Sequence, residues 1–334
     1  MLRRQKILFI FLTPIILVLI FGGVLLIIDK YTEKQKMVFG VSFNSEFATY
    51  LGFDPKQVFA WLLDDAKFKH VRLSAQWNEI EYTPGHYDFT VLDELMAEAQ
   101  KRDVKVLLAV GQKTPRWPEC HTPDWARQLS DKNYWLGLEN YITAVAARYQ
   151  NHPALESWQV ENEPFLPFGE NCRSNSYKQL EKEIDLVRAQ DAIHLIVVTD
   201  SGELSTWRKT AQVGDLFGTT MYRVVWNRYT GYSSWEFFPA TMYRLRLWVN
   251  QRLPSEAYII ELQAEPWIPD LDIKGVSLEE QYKSMNLKQL QKNIDYSSRT
   301  GMTRAYLWGG EWWYWLKSRG INEIPDFIVK LPKD

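Results

Sequence analysis

Two glutamates, each at the end of a short apolar run, carry the chemistry this sequence offers. Glu163 closes Trp158-Gln159-Val160-Glu161-Asn162-Glu163, and Glu261, 98 residues further on, closes Ala257-Tyr258-Ile259-Ile260. A pair of carboxyl groups facing each other across a cleft is what cleavage of a glycosidic bond requires. One protonates the departing oxygen while the other attacks the anomeric carbon or activates water, with separations of about 5 Å for retention and roughly 6.5–9.5 Å for inversion. We assign Glu163 as acid/base and Glu261 as nucleophile. Pro164 has no N–H to give a strand ladder, so pairing should stop near Glu163 and leave its side chain at the strand exit. Each assignment has a rival nearby. Glu161, two residues before Glu163, would share its side of a strand, and Glu265 also precedes a proline. Pro164 favours Glu163, and the apolar run that ends directly in Glu261 favours that residue.

Other side chains fall where they would assist such a pair. Arg72, leaving one apolar run, and Tyr222, leaving another, are placed to hydrogen-bond Glu261 and keep it ionised, leaving the proton on Glu163. Asn162 is placed to hold a sugar hydroxyl. Trp308 and Trp117 are candidate sugar platforms, with Trp312 and Trp313 weighed as platforms or packing. Glu203 and Glu265 are further candidates for substrate binding. Glu119, His121 and Asp200 sit in the same group of loops, where a solvated side chain is the ordinary expectation.

Something must hold these residues on one face, and the pattern of the chain supplies it. Strands are expected at Val38–Phe43, His70–Ser74, Val104–Val110, from Trp158, just after Leu155-Glu156-Ser157, toward Glu163, Leu195–Thr199, Leu216–Met221, Ala257–Glu261 and Arg304–Trp308. Between them lie helical patterns: one capped by Asp54 with Pro55 in its first turn, one from Thr90 to about Arg102, one from near Ser174, one over Tyr243–Arg252, and one opened by Ser277-Leu278-Glu279-Glu280 and running to about Ser297. Eight strands alternating with helices imply parallel pairing, and the count favours an α/β architecture closed as a (β/α)8 barrel. In that barrel each unit takes about 30 residues, so Glu163 and Glu261 would leave the fourth and seventh strands, on the carboxyl-terminal face.

Composition narrows the remaining possibilities. With 334 residues, 46% of them hydrophobic, one large domain from 38 to 334 is the economical reading. A net charge of -2 leaves no basic stripe for nucleic acid. Residues 1–6 are basic, and 7–28 carry no charge over 22 residues, enough at about 1.5 Å per residue to cross a bilayer core of about 30 Å. The reading is therefore a cytoplasmic tail (1–6), a transmembrane signal anchor (7–28), a polar tether (29–37) and an extracytoplasmic catalytic domain. A cleaved signal peptide is the alternative, although the apolar run is longer than usual and no small-x-small cleavage site follows it. Cys120 and Cys172, in loops after the third and fourth strands, would be neighbours in an oxidising compartment, as a bridge or as two free thiols. The five histidines show no ligand spacing, so no metal is expected. No phosphate loop or nucleophile elbow is present, and no cofactor is expected.

Asn162-Glu163-Pro164, Glu261 after Ile259-Ile260, Arg72 and Trp308 together resemble the retaining (β/α)8 glycoside hydrolases of clan A, the superfamily of cellulases, mannanases, xylanases and β-galactosidases. Trp77–Glu81 and Pro84-Gly85-His86-Tyr87-Asp88-Phe89 are similar to the second unit of its cellulase-like and β-galactosidase-like members. The resemblance runs from about residue 38 onward. It implies substrate contact for Asn162, acid/base work for Glu163 and nucleophilic attack by Glu261 on a β-linked oligo- or polysaccharide. Ile260, where many members carry threonine, and Gln263-Ala264-Glu265-Pro266-Trp267 depart from the pattern. Two other outcomes use the same residues: a barrel that binds glycans without cleaving them, and a transglycosylase whose intermediate is intercepted by a sugar.

Overall fold

A computed structural model describes residues 13, 17, 20, 22–270 and 272–333. Eight parallel strands close on themselves: β1 (Val38–Ser42), β2 (His70–Ser74), β3 (Lys105–Val110), β4 (Leu155–Val160), β5 (Leu195–Asp200), β6 (Leu216–Met221), β9 (Ala257–Gln263) and β10 (Arg304–Trp308). The remaining two, β7 (Val224–Asn227) and β8 (Gly231–Ser234), form a separate antiparallel hairpin in the β6–β9 connection. The barrel is the one the alternation predicted. The hairpin was not foreseen, because its strands are partly buried on both faces and lack a clean period of two.

Two apolar layers hold the barrel. The larger cluster fills the space between strands and surrounding helices, while Leu107, Val197, Leu216, Ile260 and Tyr306 pack as a separate small cluster among the strands. The Tyr306 ring needs Gly40 beneath it: a Cβ there would stand 2.8 Å from the ring and 2.8 Å from the His70 carbonyl oxygen. The helix Pro55–Asp64 starts as expected, with the Asp54 carboxylate accepting from Lys56 N at 2.9 Å. The helix expected to run from Ser277 to Ser297 is two, Leu278–Gln281 and Leu287–Ser297. The Gln281 amide donates to the carbonyls of Ile273 and Val276, and Asn286 caps the second helix by accepting from Gln289 N at 3.0 Å. Local side-chain bonds thus win over the continuous helical pattern.

Most of the apolar run 7–28 lies outside the described residues. Residues 22–31 are helical, and among the described residues no helix is long and apolar enough to cross a membrane. The segment expected as a free tether is pinned to the barrel's flank. Asp29 accepts from Thr241 N at 2.9 Å and pairs with Arg299 at 2.6 Å, and Gln35 N donates to the Ser298 carbonyl at 2.8 Å.

Candidate active site

The chain leaves β4 in an unusual way. Strand pairing ends at Val160, three residues earlier than Pro164 alone suggested, and both Glu161 (φ 60°) and Glu163 (φ 46°) take the left-handed backbone. Such conformations cost about 1–3 kcal/mol each in non-glycine residues and persist only when the surroundings hold them. Here Glu161 N donates to Val110 O, Asn162 N to Lys113 O and Glu163 N to Thr199 Oγ1, each at 2.9 Å. Lys113 Nζ also bonds the carbonyls of Glu163 and Leu166, both at 3.1 Å. The expectation that Glu161 and Glu163 share one side of a strand is therefore overturned, because neither lies in a strand. The Glu161 carboxylate turns back to accept from Gln112 N (2.7 Å) and Lys113 N (2.9 Å), whereas Glu163 Oε1 accepts from Thr220 Oγ1 at 3.0 Å. Glu161 is the anchor of the turn, and Glu163 is the group it presents.

Arg72 ties that turn to Glu261. Its side chain is buried, with Nε donating to Gln159 Oε1 (2.8 Å), NH2 to Asn162 Oδ1 (2.8 Å) and NH1 to Glu261 Oε1 (2.6 Å). The other oxygen of Glu261 accepts from the Tyr222 hydroxyl at 2.7 Å. Thr220, which touches Glu163, pairs in register with Glu261 across β6 and β9. Glu163 is thus held beside the strand pair that carries Glu261. Strand β9 runs two residues past Glu261 to Gln263, so this glutamate lies within the strand and not at its end.

The electrostatics separate the two acids. Burial raises the Glu163 pKa well above the usual carboxylate range, and the negative charges of Glu261 and Glu119 raise it further. This favours the protonated form of Glu163. Glu261 instead has a guanidinium and a phenol directed at its oxygens. The Tyr222 hydroxyl is held far above its ordinary pKa by burial and by Glu261, so it stays a donor. Arg72→Ala would strand a buried carboxylate, and we expect a loss of about 3–5 kcal/mol in unfolding free energy by denaturant titration. An unchanged midpoint would mean that the Arg72–Glu261 pair does not hold this site together.

The other expected residues divide. Trp312 and Trp313 are fully buried, their indole N–H groups donating to Gln281 Oε1 and the Ala264 carbonyl, so they are packing. Trp308 is only 7% exposed, and its ring lies under the Arg116 guanidinium at 4.3 Å. Glu265 pairs with that same Arg116 at 2.5 Å. Glu203 accepts from Tyr222 N (3.2 Å) and Tyr243 OH (3.0 Å), positioning Tyr222 from behind. Trp117 is exposed. The ordinary expectation of solvated side chains at Glu119, His121 and Asp200 is corrected, since all three are buried. Burial, then the charge of Glu261, pushes Glu119 up to about 7, and its Oε2 accepts from Asn162 Nδ2 at 3.1 Å. Burial pushes His121 down to about 4. Asp200 accepts from Thr210 Oγ1 and Ser201 N.

Several residues of the site were not singled out from the sequence. Gln159 and Thr220 had a readable signal, as polar side chains inside otherwise apolar strands. Arg116 and Glu311 had none. Among the described residues no group of three or more His, Cys, Asp or Glu side chains is placed to hold a metal ion.

Cys120 and Cys172 are joined, tying the loop after β3 to the loop after β4. Gly169 (φ +118°) makes room for the bridge, because a Cβ there would stand 2.8 Å from Cys172 Sγ and 2.9 Å from Glu119 Cβ. The bridge spans 52 residues, so its removal in Cys120→Ser with Cys172→Ser should cost about 3–4 kcal/mol, read as a lowered denaturation midpoint. Equal midpoints for wild type and variant would show that the two loops are held by their other contacts.

The family model described as beta-galactosidase, of glycoside hydrolase family 42, matches residues 59–194. The beta-galactosidase BgaA of Clostridium cellulovorans is 24% identical over 230 residues, covering 59% of this chain and 35% of that protein. Mannan endo-1,4-beta-mannosidase 5 of Arabidopsis thaliana is 29% identical over 154 residues, covering 36% of this chain and 34% of its own length. The chain thus spans about a third of these curated relatives. Among solved structures, the GH5_18 protein of Streptomyces cattleya in complex with GlcNAc shares the fold, with a TM-score of 0.58 and 14% identity over 83% of this chain and 71% of that one. The beta-galactosidase of the haloarchaeon Halorubrum lacusprofundi shares it at a TM-score of 0.54, with 14% identity over 81% of this chain and 52% of that one.

Proposed function

We propose, from the premise that this chain belongs to the clan A glycoside hydrolase barrels, that it hydrolyses a β-linked glycoside with retention by double displacement. Glu163 gives its proton to the glycosidic oxygen as the bond to the anomeric carbon breaks. The Glu261 carboxylate attacks that carbon from the opposite face and forms a glycosyl ester. Glu163, now ionised, takes a proton from water, whose oxygen attacks the same carbon and releases Glu261. The observation that carries the reading is the shared Arg72, which bonds both Glu261 and the neighbour of Glu163, combined with the different surroundings of the two acids, one buried without a cation and the other held by a guanidinium and a phenol. The galactosidase and mannosidase relatives support a β-linked substrate. A panel of aryl β-galactosides, β-mannosides and β-glucosides, with the anomer of the first-formed sugar followed by NMR, tests it. Release of the β-anomer first is expected; no release from any member, or the α-anomer first, would overturn the reading.

We also propose that residues 7–28 anchor the protein in a membrane, with the barrel outside the cytoplasm. The uncharged run behind a basic amino terminus supports this. The full chain should float with membranes in a density gradient and resist carbonate extraction.

A further inference from the structure

A second pair of acids lies behind the turn that presents Glu163. Glu161 and Glu183, the latter on the helix Tyr177–Gln190, are both fully buried, and their carboxyl groups are hydrogen-bonded to each other. Two carboxylates in contact away from water cannot both be charged, so the pair holds a proton. The other bonds say which acid carries it. Glu161 Oε1 accepts from Gln112 N at 2.7 Å and its Oε2 from Lys113 N at 2.9 Å, the way an ionised carboxylate is held. Gly111 (φ +139°) permits that approach, because a Cβ there would stand 2.6 Å from Glu161 Oε1. Glu183 Oε1 accepts from Gln179 Nε2 at 3.2 Å, whereas among the described residues no N–H or hydroxyl reaches its Oε2. A buried oxygen without a donor is costly as an acceptor and is satisfied as an O–H, which makes Glu183 the protonated partner and Glu161 the acceptor.

No neighbouring charge takes the place of that proton. Lys113, the cation that acts on Glu161, turns its Nζ to the carbonyls of Glu163 and Leu166. On the helix Asp131–Tyr149, Glu139 adds a negative charge near Glu183 and is itself paired with Lys182, while Tyr134 and Tyr141 are buried phenols held above their ordinary pKa. Arg173 lies over the Tyr134 ring and pairs with Asp131. Burial, then the charge of Glu161, holds the Glu183 carboxyl well above the usual range. From this pair the path to the candidate acid is short: Glu161 fixes Lys113 N, and Lys113 fixes Asn162 N through its carbonyl and the Glu163 carbonyl through its Nζ.

We propose that Glu183 is a positioning residue, whose carboxyl proton, donated to Glu161, keeps folded the turn that aims Glu163. This rests on the hydrolase reading above and deepens it, since Glu183 acts on the reaction only through Glu163. The strut is present at low pH and is lost as pH rises through the raised Glu183 value, when two adjoining carboxylates push Glu161 off the Gln112 and Lys113 amides.

The test uses the full chain in detergent and an aryl β-glycoside that the wild type cleaves. Glu183→Ala should lower kcat by about 10²-fold with KM within about 3-fold, because the acid is misaimed while the sugar still binds. Glu183→Gln, whose amide donates to Glu161 and has no proton to lose, should keep kcat within about 3-fold. Glu161→Gln, which sets an amide N–H against a backbone N–H, should be as slow as Glu183→Ala. In a Glu163→Gln background Glu183→Ala should cost less than about 3-fold, since no acid is left to aim. Hydrogen exchange followed by mass spectrometry reads the strut without substrate. Protection factors of the peptide carrying Gln112 and Lys113 should fall by about tenfold or more as pH rises in wild type and stay level in Glu183→Gln.

Glu183→Ala with wild-type kcat, Glu183→Gln as slow as Glu183→Ala, an undiminished loss in the Glu163→Gln background, or protection indifferent to pH would each overturn this proposal while leaving the hydrolase reading intact. A wild type that cleaves no glycoside overturns that reading and the positioning role with it. Should Glu183→Ala fail to fold, Glu183→Gln, Glu161→Gln and the exchange profile decide.

Discussion

Glu261→Gly should lose turnover of an aryl β-glycoside by about 10⁴-fold or more, because the variant lacks the carboxylate proposed to form the covalent intermediate. The loss is expected to be reversible by chemistry rather than by sequence. Azide, small enough to enter the space the side chain vacates, should attack the anomeric carbon from the nucleophile's face and restore activity with an inverted, α-configured glycosyl azide as product. NMR of that product is the decisive measurement. Full activity in the variant, or an azide product of β configuration, would move the nucleophile elsewhere, and Glu265 is the residue to examine next. Its pairing with Arg116 argues against that outcome.

Glu163→Ala should lose about 10²–10⁴-fold with a poor leaving group and much less with dinitrophenolate, which departs without help. Azide should here give the retained β-azide, since it replaces water on the already formed ester. The pH profile adds a second signature. The folded pKa of Glu163 lies above the ordinary carboxylate range, so the protonated acid persists beyond that range and is lost as pH rises through the raised value. Activity should therefore fall on the alkaline side in wild type, and Glu163→Gln should lack that fall. The same sign applies to folding: a carboxyl whose folded pKa is raised favours the native state at low pH and opposes it as pH rises through the folded value. Glu163→Gln should thus retain more of its stability in alkali. An alkaline limb of activity unchanged in Glu163→Gln would assign the essential proton to another group, and Glu119, pushed up to about 7, is the nearest candidate.

The parts of this site that the sequence exposed are those in which a single residue type interrupts a regular pattern. Glu261 and Arg72 are charges set into apolar strands, where burying them without a partner is too costly to be incidental. Their pairing across the barrel follows from that cost. Pro164 favours Glu163 over Glu161 in the sequence, but the backbone that separates the two side chains was not legible there. Two reversals into left-handed backbone, at Glu161 and Glu163, aim one carboxylate at backbone amides and the other at Thr220, and nothing in Glu161-Asn162-Glu163 marks those dihedrals. Arg116 was hidden for a different reason. Its four partners, Phe47, Glu265, Trp308 and Glu311, come from three distant stretches of chain, and only the closed barrel brings them together. That is also why Trp308 read as a platform: the residue that covers it is almost two hundred positions away. The break between Gln281 and Leu287 was lost to side-chain capping, which a helical period does not record.

Asp29 binds Thr241 and Arg299 at once, so the chain enters the barrel through a docked elbow and not by a slack cord. The mouth of the pocket consequently keeps one heading relative to the helix that precedes it. A barrel fastened in this way cannot swivel about its own amino-terminal helix, so whatever holds that helix sets the direction in which the barrel faces.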